Sequence, residues 1–506
     1  MRSLRFHSFG RRARASMHWM LGLTVVITSG VLISNCQTVS PALGPPSAAV
    51  VESRGTVAFR NVNVITMAGR EPPLIRTTVV VSQGVITSIG VGIPPGAHII
   101  EGNGKWLIPG FIDMHVHLPA DSHFRIRLPT EGANFFFITQ DVMTPFVANG
   151  VTTILECTSR ADHFSQRNEI ARGLAIGPRM GLAALINGGD GDGRRANTAS
   201  DGRQAVRDAK AEGYDFIKVY SDLDVEVLRA IVDESAKRGM KVVGHIPNKC
   251  KGQTSECLNP QFGLVAHAEE LAKQADTFSD EEADRLVSLM RASNAWISPT
   301  LVTIVDVLDQ SRSLDGLQRS STLGYVPPLL QSKWLTSNNY ARRSTPETIA
   351  YLERLVAFDS KLVRKLNDAG VPILVGTDTG TSGVVAGFSL HDEMELLVAA
   401  GMTPWDVLKS ATSRSAEWLG LDAQLGSIEV GKRADLVLLD ANPLDDIQNT
   451  RRIAGVVIDG RWLDRSRLDA MLVDLAARNN RELKEYDWKT VTGFSPSEKP
   501  RLDPKR

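Results

Sequence analysis

The sequence predicts an α/β chain: a (β/α)8, or TIM, barrel joined to a small β-sandwich domain assembled from both ends of the chain. Three observations carry this. Short runs of Val, Ile and Thr, broken by turn residues, fill residues 56–109 and return in residues 416–465. Between them, apolar strand-like runs alternate with helix-patterned stretches, the mark of a parallel sheet. Eight such runs lie between residues 111 and 376, a span of the size that a (β/α)8 barrel needs.

The elements follow in chain order. The first 51 residues hold five arginines (Arg2, Arg5, Arg11, Arg12 and Arg14) and no Asp or Glu. The apolar run "WMLGLTVVITSGVLI" comes next. A basic stretch before a short apolar core is an export signal, and this core is short for a membrane span. Residues 1–36 are therefore read as a signal peptide, and the product as exported to the periplasm or cell envelope. Cys36 ends "LISNC", which resembles a bacterial lipobox and implies a lipid anchor there, although Asn35 stands where Gly, Ala or Ser is usual. A Pro/Ser/Ala linker covers residues 37–55. The N-terminal part of the sandwich, residues 56–109, contains "TVAFRNVNVITM", "TTVVVSQGVITSIG" and "AHIIEGNGKWLIPG", with turns at Gln83-Gly84 and Asn103-Gly104. The barrel, residues 110–415, takes its strands from 111–116, 151–155, 179–185, 216–220, 241–245, 264–267, 295–299 and 371–376. Residues 301–360 are too long for one crossover and predict a mobile or capping insertion. "GSIEVGKRADLVLLDANP" and "IAGVVIDGRWL" complete the sandwich in residues 416–465. A C-terminal helix and polar tail occupy residues 466–506.

Composition bounds the function. The 506 residues are 42% hydrophobic and 23% charged, with a formal net charge of zero. That is globular composition with room for a large core, and nothing in it points to a nucleic-acid partner. A homo-oligomer is compatible with it. Four cysteines do not make a disulfide-built scaffold. In an oxidising compartment Cys250 and Cys257 could close a small loop, and Cys157, in "TTILEC", reads as a small buried hydrophobe.

Active sites of such barrels form at the C-terminal ends of the strands. The first strand ends in His115 and His117, whose spacing points both rings the same way. The fourth carries Lys218, the fifth ends in His245, the sixth in His267, and the eighth runs into Asp378. The chain has ten histidines, and four of them end inferred barrel strands. Imidazoles with a carboxylate suit zinc or a similar divalent ion. Lys218 lies in the apolar "YDFIKVYSD". A fully buried lysine is rare unless paired, so it either pairs with a carboxylate such as Asp215 or Asp222, or reacts as the neutral amine with carbon dioxide. The resulting carbamate would be an anionic ligand able to bridge two cations.

The motifs "IPGFIDMHVHL", "GYDFIKVY", "VVGHIP", "GTDTG", "GFSLHDEMELLVAAGMTPWDVLKSAT" and "GSIEVGKRADLVLLDANPLDDI" resemble those of the amidohydrolase superfamily, specifically the imidazolonepropionase-like secreted amidohydrolases related to metal-dependent prolidases. The resemblance implies that His115, His117 and Asp378 hold one metal ion, that His245 and His267 hold a second, and that carboxylated Lys218 bridges the two; by the donor chemistry the expected ions are two zinc ions. It implies cleavage of an amide bond by a metal-bridging hydroxide, with Asp378 carrying the proton to the leaving nitrogen. Two departures stand out: Ala266, where relatives commonly place Glu before the histidine, and the cysteine-bearing loop 248–260.

The expected substrate is a small amide or peptide: a dipeptide, Xaa-Pro or N-acyl amino acid. His391, Arg125, Arg127 and Tyr220 are candidate substrate contacts, the two arginines as bidentate partners of a carboxylate. Competing readings are a cyclic amide, ester or phosphotriester hydrolase on the same site, and a non-catalytic envelope binding lipoprotein. A complete ligand set argues against the last.

Overall fold

The computed structural model describes residues 55–90, 92–120, 137–259 and 262–485. The expected export signal with Cys36, the linker up to residue 54, Arg125, Arg127 and the tail beyond residue 485 lie outside these residues.

Strands β1 (Val57–Val64), β2 (Leu74–Ser82), β3 (Val85–Ile89), β4 (His98–Glu101) and β5 (Trp106–Pro109) come first. Gln83 and Gly84 both have positive φ, 52° and 79°, so the β2–β3 hairpin closes on a two-residue turn twisted to match its strands. The barrel strands are β6 (Phe111–Val116), β7 (Val151–Glu156), β8 (Arg179–Asn187) with the short β9 (Arg194–Arg195) beside it, β10 (Phe216–Val219), β11 (Lys241–Gly244), β12 (Leu264–Ala266) and β13 (Trp296–Ser298). They pair in parallel in sequence order from β6 through β8 and then β10 to β13. Strands β14 (Leu436–Leu439), β15 (Ile453–Ile458) and β16 (Arg461–Asp464) return to the first sheet, in the order β16-β15-β14-β5-β1-β2-β3 with β4 on β1. This is the (β/α)8 barrel with a β-sandwich built from both chain ends. The sandwich sheet curls on itself: Phe59 of β1 meets Trp462 of β16 edge-on, with ring centroids 5.3 Å apart, although three strands separate β1 from β16. Phe59, Val62, Val79, Ile86, Leu436 and Val457 fill the space between.

The eighth barrel run needs correcting. No ladder forms over 371–376; instead an irregular segment closes the barrel by single hydrogen bonds. Leu374 N–H donates to Ile297 C=O (2.8 Å), Met114 N–H to Val375 C=O (3.0 Å) and Asp378 N–H to His115 C=O (2.7 Å). Pro372 has no N–H to offer, and Asp378 turns into the left-handed region at φ 61°. The segment runs tight against the first strand: a Cβ on Gly376 would lie 2.3 Å from Ser298 Oγ and 3.0 Å from His115.

Residues 301–368 are largely helical, with helices at Leu301–Arg312, Pro328–Thr336, Asn339–Arg343 and Pro346–Asp368. The insertion packs Leu323, Val326, Leu330 and Trp334 on Val385, in the loop after Asp378, so it is a cap. At the other end of the barrel, Trp418 stacks on Phe216 at the start of β10 (5.4 Å between centroids) and closes the bottom. Cys250 and Cys257 form a buried disulfide. No helix among the described residues is long and apolar enough to cross a membrane.

Candidate metal centre

Six residues from five segments of the barrel rim are brought together. His115 is the last residue but one of β6 and His117 follows the strand. Their Nε2 atoms lie 3.2 Å apart, and Asp378 Oδ1 is 3.3 Å from the first and 3.0 Å from the second. Lys218 Nζ is 3.1 Å from His115 Nε2. The His267 ring centroid is 4.6 Å from that of His115 and 5.0 Å from that of His245. Donor atoms of His115, His267 and Asp378 all lie within 4.8 Å of one another.

Three of the four rings are held from behind, whereas His115 Nδ1 is buried with no hydrogen-bond partner among the described residues. His117 Nδ1 is 2.9 Å from Thr158 Oγ1, whose hydroxyl donates to Glu156 (3.1 Å). His245 Nδ1 meets Ser221 Oγ (2.8 Å) and Glu270 Oε1 (3.1 Å). His267 Nδ1 meets Thr300 Oγ1 (2.6 Å). With Nδ1 engaged, Nε2 is the lone pair left for a ligand, the arrangement that orients metal-binding imidazoles. The backbone bends to achieve it: His267 (φ 70°), Thr300 (φ 49°) and Asp378 (φ 61°) all occupy the left-handed region. That conformation costs an L-residue roughly 1–2 kcal/mol and tends to cluster at functional sites.

The electrostatics favour neutral nitrogen donors. Burial, then the nearby Lys218, hold His115 and His245 well below the usual imidazole value, and burial brings His267 down to about 4. Burial lowers Lys218 as well. Among the described residues no carboxylate pairs with it. Asp215 is taken by Arg167 (2.8 Å) and the Leu182 N–H (2.9 Å), and Asp222 by the Asn187 amide (3.2 Å). Burial would raise Asp378, but His267, His117 and Thr381 outweigh it and bring the carboxyl to about 2. The cluster therefore offers converging lone pairs and one firm negative charge. Such a donor set fits divalent cations and lacks the protons to satisfy itself. A second anion, as a lysine carbamate would supply, improves the match to two dications.

Tyr220 faces this cluster, its ring 4.0 Å from that of His245. His391 does not, and its reading as a substrate contact is corrected. It is buried against Phe111, at the opposite end of β6 from His115, and its Nδ1 binds Thr450 Oγ1 (2.9 Å); His115 lies four residues along the strand from Phe111, roughly 13 Å. Residue-by-residue reading missed Glu270, Thr158, Ser221 and Thr300. Glu270 was signalled by "HAEEL", an acid three residues past His267 at the start of a helix. It places a buried carboxylate beside His245 even though Ala266 precedes His267, and burial lifts it to about 7. The hydroxyl partners carry no sequence signal beyond following barrel strands.

The amidohydrolase family model matches residues 106–463. An imidazolonepropionase of Psychrobacter cryohalolentis is 25% identical over 394 residues, covering 72% of this chain and 81% of its own. An ochratoxinase of Aspergillus niger is 24% identical over 433 residues, covering 78% and 83%. Among solved structures, a Xaa-Pro dipeptidase with methionine in its active site superposes with a TM-score of 0.62 at 22% identity, over 81% of this chain and 100% of that one. A bottromycin amidohydrolase does so with 0.65 at 24%, over 87% and 93%. Both structures share the fold.

Proposed function

Since the chain belongs to the amidohydrolase family, a family of hydrolases, we propose that it cleaves an amide C–N bond at a binuclear metal centre. The observation that carries this is the convergence of five metal-competent side chains and a buried lysine, paired with no described carboxylate, on one point of the barrel mouth. His115, His117 and Asp378 would hold one ion and His245 and His267 the other, with Lys218 as the residue that would supply a carbamate ligand. Bound ions, zinc by the chemistry of the donors, would supply a Lewis acid for the scissile carbonyl and lower the pKa of water from 15.7 to about 7.

The chain's own residues do the rest. Burial lowers Lys218 from its ordinary value and so favours the neutral amine, which would form an N–C bond to carbon dioxide and release a proton, leaving a carbamate. Thr158, Ser221 and Thr300 fix the rings. Asp378 stays ionised at neutral pH. Its Oδ2 accepts from Thr381 (2.8 Å), which leaves Oδ1 to take the proton of the attacking water and pass it to the leaving nitrogen. A dipeptide, Xaa-Pro or N-acyl amino acid substrate is in keeping with the Xaa-Pro dipeptidase and bottromycin amidohydrolase relatives.

The same proposal places the mature chain outside the cytosol, in the periplasm or cell envelope, with Cys36 as the lipid-anchor candidate. The Cys250–Cys257 disulfide supports this, because such bonds persist in oxidising compartments.

Metal analysis of mature protein prepared with zinc and bicarbonate tests the centre. Two ions per chain are expected, and fewer than one refutes the binuclear reading. Lys218→Ala should lower metal content and activity together. Unchanged metal content would refute the carbamate. Screening a dipeptide and N-acyl amino acid library with the loaded protein then identifies the substrate.

A further inference from the structure

We infer that the substrate carries a bulky apolar group, aryl or branched alkyl, beside its scissile amide, seated in a pocket that the helical insertion builds against the loop after Asp378. The inference deepens the amide-hydrolase reading and rests on it.

The pocket reaches the centre directly. His117 and Thr379, which flank the first metal position, bound its inner end, and Phe146, Tyr325, Leu330 and Trp334 form walls. Asp141 is the only charged residue of the described lining, and Arg478 pairs with it, Nε to Oδ2 at 3.3 Å. Among the described lining, a charged group entering here would lose its water and find no free partner, at a cost of several kcal/mol. An apolar group loses nothing.

The walls are also held in place before any ligand arrives. Tyr325 stacks on Phe388, with centroids 5.2 Å apart and planes 3° apart. Leu330 and Trp334 pack with Val385. The insertion is tied to the loop that carries Asp378: the Asn338 amide donates to Gln310 Oε1 (2.7 Å) and to Ser382 Oγ (3.1 Å). A preformed apolar wall needs little ordering on binding, so more of the burial appears as affinity. On this account residues 301–345, which the barrel chemistry does not use, set specificity.

Calorimetry on the zinc-loaded mature chain tests the pocket without relying on turnover. The probes are propanoate, 3-phenylpropanoate and succinate. All offer the ions a carboxylate and differ in what they send into the pocket. 3-Phenylpropanoate should bind at least about 30-fold tighter than propanoate, the gain expected for burying a phenyl ring, and succinate no tighter than propanoate. Leu330→Asp should collapse the ratio of 3-phenylpropanoate to propanoate affinity toward one. Ala386→Phe, which fills the pocket from its lining loop, should do the same should Leu330→Asp fail to fold. Zinc bound with a ratio within about threefold of one, or with succinate binding tightest, overturns the pocket while sparing the metal centre. A protein that takes up no zinc overturns both.

Discussion

Lys218→Met separates a functional lysine from a structural one by the sign of its effect on stability. Lys218 is fully buried, its side-chain hydrogen bond runs to the neutral His115 ring at 3.1 Å, and no described carboxylate compensates it. Burying a polar group with incomplete partners costs about 1–3 kcal/mol. Methionine fills a similar volume without that cost and forfeits one hydrogen bond of about 1 kcal/mol. The metal-free variant should therefore be at least as stable as the metal-free parent, by about 0–2 kcal/mol. A chain of this length gains roughly 1 kcal/mol/K in unfolding entropy, so Tm should hold or rise by up to about 2 °C. With zinc and bicarbonate the order should reverse. Ligand at about 1,000 times its Kd adds about 4 kcal/mol to the parent, and a variant without the bridging group forgoes much of that. Thermal scans of chelated and zinc-loaded protein, with metal analysis of each sample, check both halves. A chelated variant melting more than about 2 °C below the parent would mean that the lysine is structural. A variant that keeps two zinc ions would show that it bridges nothing.

Two further outcomes follow from the surroundings. Thr300→Ala removes the group that holds His267 Nδ1 and should weaken binding of one ion about 10–100-fold in a competition titration with a zinc chelator, while unchanged affinity would show that the hydroxyl does not orient the ring. Glu393 is fully buried, and burial raises its carboxyl to about 8, although the Val302 N–H donates to it at 2.8 Å. The folded chain thus keeps this proton where the unfolded chain, near 4.3, has released it, so stability falls as pH rises from about 4 to about 8 and levels off above. Glu393→Gln retains the acceptor and abolishes the titration. Its stability relative to the parent should increase across that window, by about 5 kcal/mol in total, and a flat difference in denaturation free energy would contradict the burial argument.

Much of this centre was legible because its chemistry and periodicity are local. Each ligand ends or follows an apolar run that reads as a strand, and two histidines at an i, i+2 spacing must share a strand face. Thus His115, His117, Lys218, His245, His267 and Asp378 could be assembled from the strand-end rule alone. The reading of His391 failed because nearness in sequence to the last strand does not say which end of the barrel a helix side chain meets. The eighth strand failed because its apolar composition matches a ladder while Pro372 and the left-handed Asp378 prevent one.

The residue types and spacing along the chain by themselves determined the barrel, the two-ended sandwich and the identity of the six converging side chains, since hydrophobic period and donor chemistry are properties of short stretches. Only the tertiary structure decided which hydroxyl or carboxylate stands behind His117, His245 and His267, that Lys218 has no described carboxylate partner, that Cys250 and Cys257 join, and that the insertion walls an apolar pocket beside His117. These depend on contacts between residues tens to hundreds of positions apart, where the geometry is fixed by packing of the whole fold and leaves no periodic trace in the sequence.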